Sequence, residues 1–283
     1  MLELIARWPA KSALDGIEHP AVYHMLDVAA VAELLIARSG FPPARRDLIL
    51  LLAALHDLGK IGGPFRAMLR TGQTQPQGRH WELTEILLGH HDSLLAARIG
   101  GRPHHRRALY AATAGHHGGP PWREGHDVGR SLDAAGAEAI RDAAAVIGMF
   151  LDLWPDACME GLTGDQVNAL GWWLPGLVSA ADWIGSNTGW FPPQMAGPSP
   201  ADYLAAARIR AVDAVRLAGL DAAAPSPAQL FDFALRPMQA ACARIELPDG
   251  PVLAVIEDET GAGKTEAALI LAQRLMLAVS TAG

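Results

Sequence analysis

Histidine and aspartate side chains stand in this sequence at positions where they could bind metal ions. His56 and Asp57 are adjacent and follow an apolar run from Leu48 to Leu55. Eleven of the 283 residues are histidines. Imidazole nitrogens and carboxylate oxygens are ligands that borderline divalent transition metals accept. Two such ions a few ångströms apart can generate hydroxide and bind both the attacking and the leaving oxygen of a phosphodiester.

The His56-Asp57 pair does not by itself define one binding face. Adjacent residues of a helix point about 100° apart, so the two side chains are not expected to share one ion face-on. They can flank a site that lies between them, with the two oxygens of Asp57 bridging two ions. Lys60 lies one turn after His56 on the same helix face, where its ammonium could hold a substrate phosphate or stabilise a leaving oxygen.

Five further residues are candidate ligands because of their order along the chain. They are His24, His80, His116, His117 and Asp182. Taken singly, a histidine on a helix is more often a core or surface residue than a ligand, and His104-His105 is interpreted as a surface pair. The order His, His-Asp, His, His-His, Asp, on or beside helical segments, favours a common metal site.

The elements that must position these residues are helices. Apolar residues recur at three- and four-residue spacing, and this period is typical of helices that bury one face. The spacing predicts helices near residues 24–38, 44–58, 81–98, 103–114, 134–151, 165–185 and 201–218. Pro42-Pro43 and Pro103 are typical of helix starts, whereas Gly62-Gly63-Pro64 indicates a break. The polar stretch from Thr71 to Gly78 is predicted to be an exposed loop.

The C-terminal part has a different character. The Ala/Pro-rich residues 222–227 are typical of a linker. After it, the β-branched run Val252–Ile256, a Gly-containing turn and the helical pattern of Glu266–Leu277 predict a strand, a turn and a helix. This order is the opening unit of an α/β nucleotide-binding domain.

The turn between that strand and that helix has the composition of a phosphate-binding loop. Gly261 and Gly263 would let backbone N–H groups approach the phosphates, Lys264 would reach the β- and γ-phosphates, and Thr265 would ligate Mg²⁺. Asp258 stands where such loops usually have their first glycine.

Composition and charge limit the class of protein. Half of the residues are hydrophobic and 19% are charged, which permits a sizeable core. The net charge is −7, but residues 1–130 carry 15 Lys+Arg against 12 Asp+Glu, so a local basic face could still contact phosphates. No apolar run is long enough to span a bilayer, no secretory signal pattern is present, and the two cysteines form no CxxC pair. These features predict a cytoplasmic protein without membrane contact.

The order of the histidines and aspartates resembles the HD hydrolase superfamily, which is named after a doublet like His56-Asp57. Within it, the separated motifs resemble the nuclease domain of the CRISPR-associated helicase-nuclease of type I systems, over roughly residues 15–190. These motifs are Tyr23-His24, His56-Asp57-Leu58-Gly59-Lys60, Arg79-His80-Trp81-Glu82, His116-His117 and Ala181-Asp182-Trp183-Ile184-Gly185-Ser186-Asn187. Arg236-Pro237-Met238-Gln239 is similar to the adenine-reading motif of superfamily 2 helicases.

The resemblance implies a ligand set. One ion would be held by His24, His56, Asp57 and Asp182, and a second by Asp57, His80, His116 and His117. His90 or His91 could replace His80 as the third histidine, although His80 is favoured because it opens its helix. Lys60 would act beside Asp57 in catalysis, and Ser186 and Asn187 would face the substrate.

The resemblance also implies an architecture and an activity. A mainly α HD nuclease domain would occupy residues 1–221, a linker 222–235, and the first part of a RecA-like helicase domain 236–283. The protein would be a metal-dependent nuclease, endo- or exonucleolytic, that cuts single-stranded DNA when a CRISPR surveillance complex recruits it. Its cofactors would be two divalent ions, drawn from Mn, Co, Ni, Fe or Mg. ATP with Mg, contacted by Gln239, would bind only in a full-length helicase.

Two alternatives remain open at this point. An HD phosphohydrolase of nucleotides or cyclic dinucleotides would use the same ligands, although it has no evident reason to carry a phosphate loop. A recruitment module that does not cut would instead use a docking patch such as Trp172-Trp173-Leu174-Pro175, although buried core is the favoured interpretation of that stretch.

Overall fold

The computed structural model describes residues 1–11, 16–73, 79–118, 127–221, 226, 228–248, 250 and 252–281. The chain divides into two compact units, Met1–Leu220 and Asp221–Gly283. Residues 74–78 of the predicted loop lie outside the described residues, as do most residues of the predicted linker at 222–227.

The described part of the first unit is built from helices. In chain order they are α1 (Leu2–Arg7), α2 (Ala21–Leu35), α3 (Pro43–Ala54), α4 (Gly63–Thr71), α5 (His80–His90), α6 (Asp92–Ile99), α7 (Pro103–Ala114), α8 (Val128–Ala135), α9 (Ala137–Leu153), α10 (Gly164–Gly185) and α11 (Pro200–Leu217). Two 3₁₀ segments, Leu55–Lys60 and Gly115–His117, continue α3 and α7. The mainly α fold predicted for this part is therefore confirmed.

Proline marks several helix starts, as the sequence predicts. Pro43 and Pro103 are the first residues of α3 and α7. Proline lacks an N–H group, but the N–H of a first helical residue has no partner within the helix, so no hydrogen bond is lost. The break predicted at Gly62-Gly63-Pro64 is confirmed, since the segment before it ends at Lys60, α4 begins at Gly63, and the two are bent by 62°. The single helix predicted over 81–98 is wrong, because the backbone leaves helical geometry at His91 and separates α5 from α6.

Helix α2 lies at the centre of the first unit. Its residues from Ala21 to Ala32 are buried, and it packs against α3, α10 and α11. A helix surrounded in this way has apolar residues on every side and no polar stripe. Its buried Asp27 accepts a hydrogen bond from the Tyr203 hydroxyl (3.0 Å to Oδ1) and lies 3.2 Å from His19 Nε2. These contacts fix α2 against α11 and so fix the position of His24.

The described residues contain no single helix that is long and apolar enough to cross a membrane. The segments Pro43–Lys60 and Gly63–Thr71 meet the length and composition criteria only as a pair bent by 62°. The apolar residues of α3, from Leu48 to Ala54, are buried inside the first unit.

The second unit contains α12 (Pro237–Cys242) and α13 (Lys264–Thr281). The helix predicted after the glycine-containing turn is present, but the strand predicted at Val252–Ile256 is wrong. A strand is defined by hydrogen bonds to a neighbouring strand, and none lies beside this run in the described residues. Leu253 is 92% exposed and Val255 is 76% exposed. The described residues therefore give no sign of a RecA-like sheet.

Candidate metal centre

The candidate site is centred on the 3₁₀ segment Leu55–Lys60. Asp57 has φ −113° and ψ 25°, outside helical geometry, so the backbone kinks at this residue. As a result His56 Nε2 lies 3.1 Å from Asp57 Oδ2. The wide separation expected for adjacent helical residues does not apply here, because the kink turns both side chains towards one point.

A first cluster of ligand atoms combines this segment with α2 and α10. Its members are His24, His56, Asp57 and Asp182, whose ligand atoms all lie within 4.8 Å of one another. His24 Nε2 is 2.9 Å from Asp57 Oδ2 and 3.3 Å from Asp182 Oδ1. Four imidazole and carboxylate groups so close together have the composition of a transition-metal site.

A second cluster lies on the other side of Asp57. His80 is the first residue of α5, and His116 and His117 end the second 3₁₀ segment, with ligand atoms again within 4.8 Å of one another. Asp57 Oδ1 is 3.2 Å from His80 Nε2 and 3.6 Å from His116 Nε2. The two oxygens of Asp57 thus face different clusters, which is the arrangement that a bridging carboxylate requires.

Backbone carbonyls orient two of the imidazoles. His56 Nδ1 donates to the Ala53 carbonyl at 2.9 Å, and His116 Nδ1 donates to the Thr113 carbonyl at 3.1 Å. Because a carbonyl oxygen can only accept, each Nδ1 carries a proton and Nε2 is the nitrogen that faces the site as the ligand atom. His56 Nε2, His116 Nε2 and Asp57 Oδ1 are buried without a hydrogen-bond partner in the chain. Buried polar atoms left in this way are costly, and divalent ions would satisfy them, so the residues fit a metal centre.

Charge in the site is set by burial and by neighbouring groups. Burial lowers the pKa of His56, but Asp57 and Asp182 outweigh it and raise this pKa to about 9. Burial and then the His56 cation lower the pKa of His116 to about 3. Burial opposes ionisation of Asp57, yet His56 and Lys60 keep its pKa well below the usual range. Burial opposes ionisation of Asp182 as well, yet the neighbouring His24 and His56 side chains lower its pKa. Both carboxylates are therefore ionised and attract cations.

Two lysines lie beside these carboxylates. Lys60 Nζ is 2.6 Å from Asp57 Oδ2 and 5.7 Å from the centre of the Phe65 ring. Lys11 donates to the Ser186 carbonyl, and burial and then the charge of Lys60 lower its pKa. Sequence reasoning missed Lys11, since an isolated lysine near the N-terminus carries no motif that could have marked it.

Two glycines allow the helices that carry the ligands to approach closely. A Cβ atom on Gly59 would lie 1.9 Å from the His80 carbonyl oxygen, so only glycine lets the 3₁₀ segment contact the start of α5. A Cβ atom on Gly185 would lie 3.0 Å from a Val28 methyl group, between α10 and α2. Ser186 supports the first cluster directly, with its hydroxyl donating to Asp182 Oδ1 at 2.9 Å.

The other histidine pairs lie outside the two clusters. His91 Nε2 donates to the Ile140 carbonyl at 3.0 Å, and neither His90 nor His91 belongs to the clustered ligands. This geometry favours His80 as the third histidine. The surface-pair interpretation of His104-His105 is wrong for His105, which is 8% exposed, because its side of α7 is covered by the unit.

Two arginines of the first half are engaged in ion pairs within the first unit. Arg46 pairs with Glu33 at 2.8 Å, and Arg106 contacts both oxygens of Asp92 at 2.7 Å. Arg106 is only 5% exposed. These two arginines join α3 to α2 and α7 to α6.

The phosphate-loop residues of the second unit lie together. Gly261 and Gly263 have φ of 81° and 89°, a backbone geometry that glycine adopts freely. Lys264 Nζ donates to the carbonyls of Asp258 and Glu259 at 2.8 and 2.7 Å. Gln239 Nε2 donates to the Gly263 carbonyl at 3.2 Å. Nucleotide binding by Gln239, Gly261, Gly263, Lys264 and Thr265 stays a prediction.

Comparison with known proteins identifies relatives of this arrangement. The family model for the HD domain of Cas3 matches residues 8–191. The chain is 29% identical to the CRISPR-associated endonuclease/helicase Cas3 of Thermus thermophilus, over 89% of this chain and 30% of the relative. It is 27% identical to the protein of the same name from Escherichia coli, over 94% of this chain and 36% of the relative. The chain thus spans about a third of the length of these curated relatives.

A solved structure agrees with that comparison. The crystal structure of the Thermus thermophilus Cas3 HD domain in the presence of Ni²⁺ matches with a TM-score of 0.58 and 25% identity. The match covers 77% of this chain and 92% of that structure. It therefore corresponds to a whole HD domain.

Proposed function

Because the chain belongs to the family of Cas3 HD domains, we propose that its first unit is a metal-dependent nuclease that cuts single-stranded DNA in CRISPR interference. The observation that carries the proposal is the pair of ligand clusters on opposite oxygens of Asp57. Such a pair suits phosphodiester hydrolysis, in which the attacking and the leaving oxygen both need positive charge nearby.

The ligand clusters on the two oxygens of Asp57 suit two ions. One ion would be held by His24, His56, Asp57 and Asp182, and the second by Asp57, His80, His116 and His117. Nitrogen and carboxylate donors accept Mn, Co, Ni or Fe, and Mg through the carboxylates. When bound, such ions supply an activated water and neutralise charge on the phosphate. The crystal structure of the Thermus thermophilus relative in the presence of Ni²⁺ supports a divalent cofactor.

The chain's own residues orient the site and bind the phosphate. His56 and His116 present Nε2 because backbone carbonyls engage Nδ1. The Lys60 ammonium forms an ion pair with Asp57 Oδ2. Because an ammonium has three N–H groups, the others can donate to a phosphate oxygen. Lys11, on the Ser186 side of the site, supplies a second positive charge.

The activities named for the full-length relatives extend the proposal. Those relatives are called endonuclease/helicases, and we assign residues 1–221 to the nuclease domain, 222–235 to a linker and 236–283 to the start of a helicase domain. Within that domain, ATP with Mg would be contacted by Lys264, Thr265 and Gln239. Recruitment by a CRISPR surveillance complex in the cytoplasm completes the proposal.

The test uses circular single-stranded DNA, which an exonuclease cannot degrade because it has no end. Purified chain is incubated with the circle and Mn²⁺, Co²⁺, Ni²⁺ or Mg²⁺, in parallel with linear DNA. We expect cutting that needs a divalent ion and falls at least about a hundredfold in His80→Ala, since a ligand is lost. His90→Ala, a histidine of the same helix outside the clusters, is the matched control and should retain activity.

Three results would refute the proposal. They are no cleavage with any of the ions, equal cleavage by Asp57→Ala and the unaltered chain, and equal losses in His80→Ala and His90→Ala. Release of phosphate or nucleoside from small nucleotides, with DNA left intact, would favour the phosphohydrolase alternative instead.

A further inference from the structure

A groove beside the metal centre takes no part in the hydrolysis described above. It encloses about 560 Å³, within the usual range of small-molecule sites. Gly176 and Ala180 of α10 line it together with Trp183, Asn187 and Trp190. Trp183 is 80% exposed. An indole ring that remains so exposed beside a groove has a large apolar face to offer to a ligand.

The groove lies beside the metal centre along α10. Trp183 directly follows Asp182, a member of the first cluster. Ser179 lines the groove and also donates its hydroxyl to the His116 carbonyl at 2.6 Å. Ser179 thus joins the groove to the second cluster, and Trp183 is the chain neighbour of a ligand of the first, so the groups next to a phosphate bound at the ions would lie near this groove.

The lining has the chemistry of a site for a flat aromatic ring with polar edges. Gly176 and Ala180 add little bulk, so they leave room beside the indole. Asn187 Oδ1 accepts from the Gly189 N–H at 2.9 Å, which sets the orientation of the amide and assigns Nδ2 as a donor. A nucleobase has a π-face for the indole and acceptor atoms for that donor. A ligand held at the metal centre by its phosphate would carry such a base next to the phosphate.

We propose that this groove is a base-binding subsite in which Trp183 stacks on an unpaired base next to the phosphate that is cut. The inference rests on the proposed nuclease function and adds a reason for its single-strand selectivity. In a duplex both faces of each base are already stacked, so exposing one to Trp183 would require unpairing. In a single strand the face is available, and stacking on an aromatic side chain works with any base.

The chain contains a matched control for Trp183. Trp172 lies on α10 eleven residues earlier, about three turns along the helix and on nearly the same face, and it is 89% exposed. It does not line the groove. An effect of substituting Trp183 alone therefore indicates binding in the groove. An equal effect of substituting either tryptophan would indicate nonspecific binding of DNA by exposed indole rings.

The test compares strands with and without bases. A single-stranded oligonucleotide and one of equal length built from tetrahydrofuran abasic residues are cut by the full chain with a divalent ion, alongside the corresponding duplex. For Trp183→Ala, kcat/KM on the ordinary strand should fall about tenfold, with a much smaller loss on the abasic strand. Preference for single strand over duplex should fall in parallel. Trp183→Phe keeps an aromatic ring and should therefore retain most of the kcat/KM of the unaltered chain. Trp172→Ala should leave kcat/KM unchanged on both strands.

The outcomes separate this inference from the proposed function. If the unaltered chain cuts no strand with any ion, the nuclease proposal fails. If the unaltered chain cuts, two results refute the subsite. One is an equal fall of kcat/KM on ordinary and abasic strands in Trp183→Ala, and the other is an unchanged kcat/KM on both. Metal content is measured for each variant, and a tenfold loss on both strands with reduced metal content would also overturn it, because Trp183 would then only support Asp182.

Discussion

The metal centre of the first unit and the phosphate loop of the second are built in opposite ways. The metal centre takes ligands from separate elements, including α2, α5, α10 and two 3₁₀ segments, and most of these ligands are buried. The phosphate loop is one contiguous stretch, Glu259–Thr265, whose lysine contacts the loop's own carbonyls. The centre can form only when the whole unit has folded, whereas the loop combines local geometry with contacts from the nearby Arg236 and Gln239.

This difference decides how each site responds to change. Burial makes the electrostatic interactions of the metal centre strong and makes any lost partner costly. The electrostatic interactions of the phosphate loop are exposed and therefore weak, since water replaces a lost contact. We therefore expect large and coupled effects in the first unit and small, local effects in the second.

The largest effect is expected from Asp57→Asn. The change removes the shared carboxylate charge, takes the counterion from the buried Lys60 and leaves the His56 cation with Asp182 alone. We expect metal content to fall from about two ions per chain towards none and the free energy of unfolding to fall by about 3–5 kcal/mol. Elemental analysis and denaturant unfolding measure the two quantities. His80→Ala should remove one ion only, and loss of a single ion in both variants would contradict the bridging role of Asp57.

A smaller effect is expected from Gly59→Ala. The new methyl group would collide with the His80 carbonyl, so α5 must move away from the 3₁₀ segment. We expect a loss of about 1–3 kcal/mol in stability together with weaker metal binding. Gly89→Ala is the matched control, because a Cβ atom there meets nothing within 4 Å. Thermal unfolding with and without metal measures both variants, and equal Tm values would disprove the close approach.

Metal binding should release a proton from His56. Without metal the pKa of His56 is raised to about 9, so at pH 7 the residue is protonated, and an ion must displace that proton. Metal affinity should therefore rise with pH up to about 9, by at most about tenfold per pH unit for one proton. Calorimetry in buffers of different ionisation enthalpy counts the protons released. A pH-independent affinity between 7 and 9 would contradict the raised pKa.

The second unit should respond weakly and locally. Gln239 is 2% exposed and joins Arg236 N–H to the Gly263 carbonyl, so Gln239→Ala should destabilise the loop by about 1–3 kcal/mol. Lys264→Ala, at an exposed contact, should leave Tm unchanged. Hydrogen exchange of residues 258–266 measures the loop, and metal content should stay constant in both variants. A loss of metal in either would contradict the independence of the two sites.

Much of the helical architecture was predictable because helix periodicity and proline are local signals. The predicted helices at 103–114, 165–185 and 201–218 agree with α7, α10 and α11 within a residue or two. The sequence did not predict the break between α5 and α6 at His91, and it predicted a strand at residues 252–256 that the structure does not contain. In both cases the local pattern favours one state, while contacts with other elements decide the outcome.

The candidate ligands show the same division. Residue type and order along the chain were enough to select His24, His80 and Asp182 as companions of His56-Asp57, and the fold brings all five to the two clusters. No such signal marked Lys11, and nothing in the sequence distinguished Trp172 from a core residue. The favoured buried-core interpretation is wrong for Trp172, because it lies on the outer face of α10.

The sequence by itself determined which side chains can act at this centre. Residue type sets the ligand chemistry, and the spacing of residues sets which face of a helix each one occupies. Only the tertiary structure decided how they meet. The kink at Asp57 places adjacent residues at one point, and Gly59 lets α5 close the second cluster. Burial then sets the protonation of His56 and His116. These properties depend on distances between elements far apart in the chain, which no local pattern encodes.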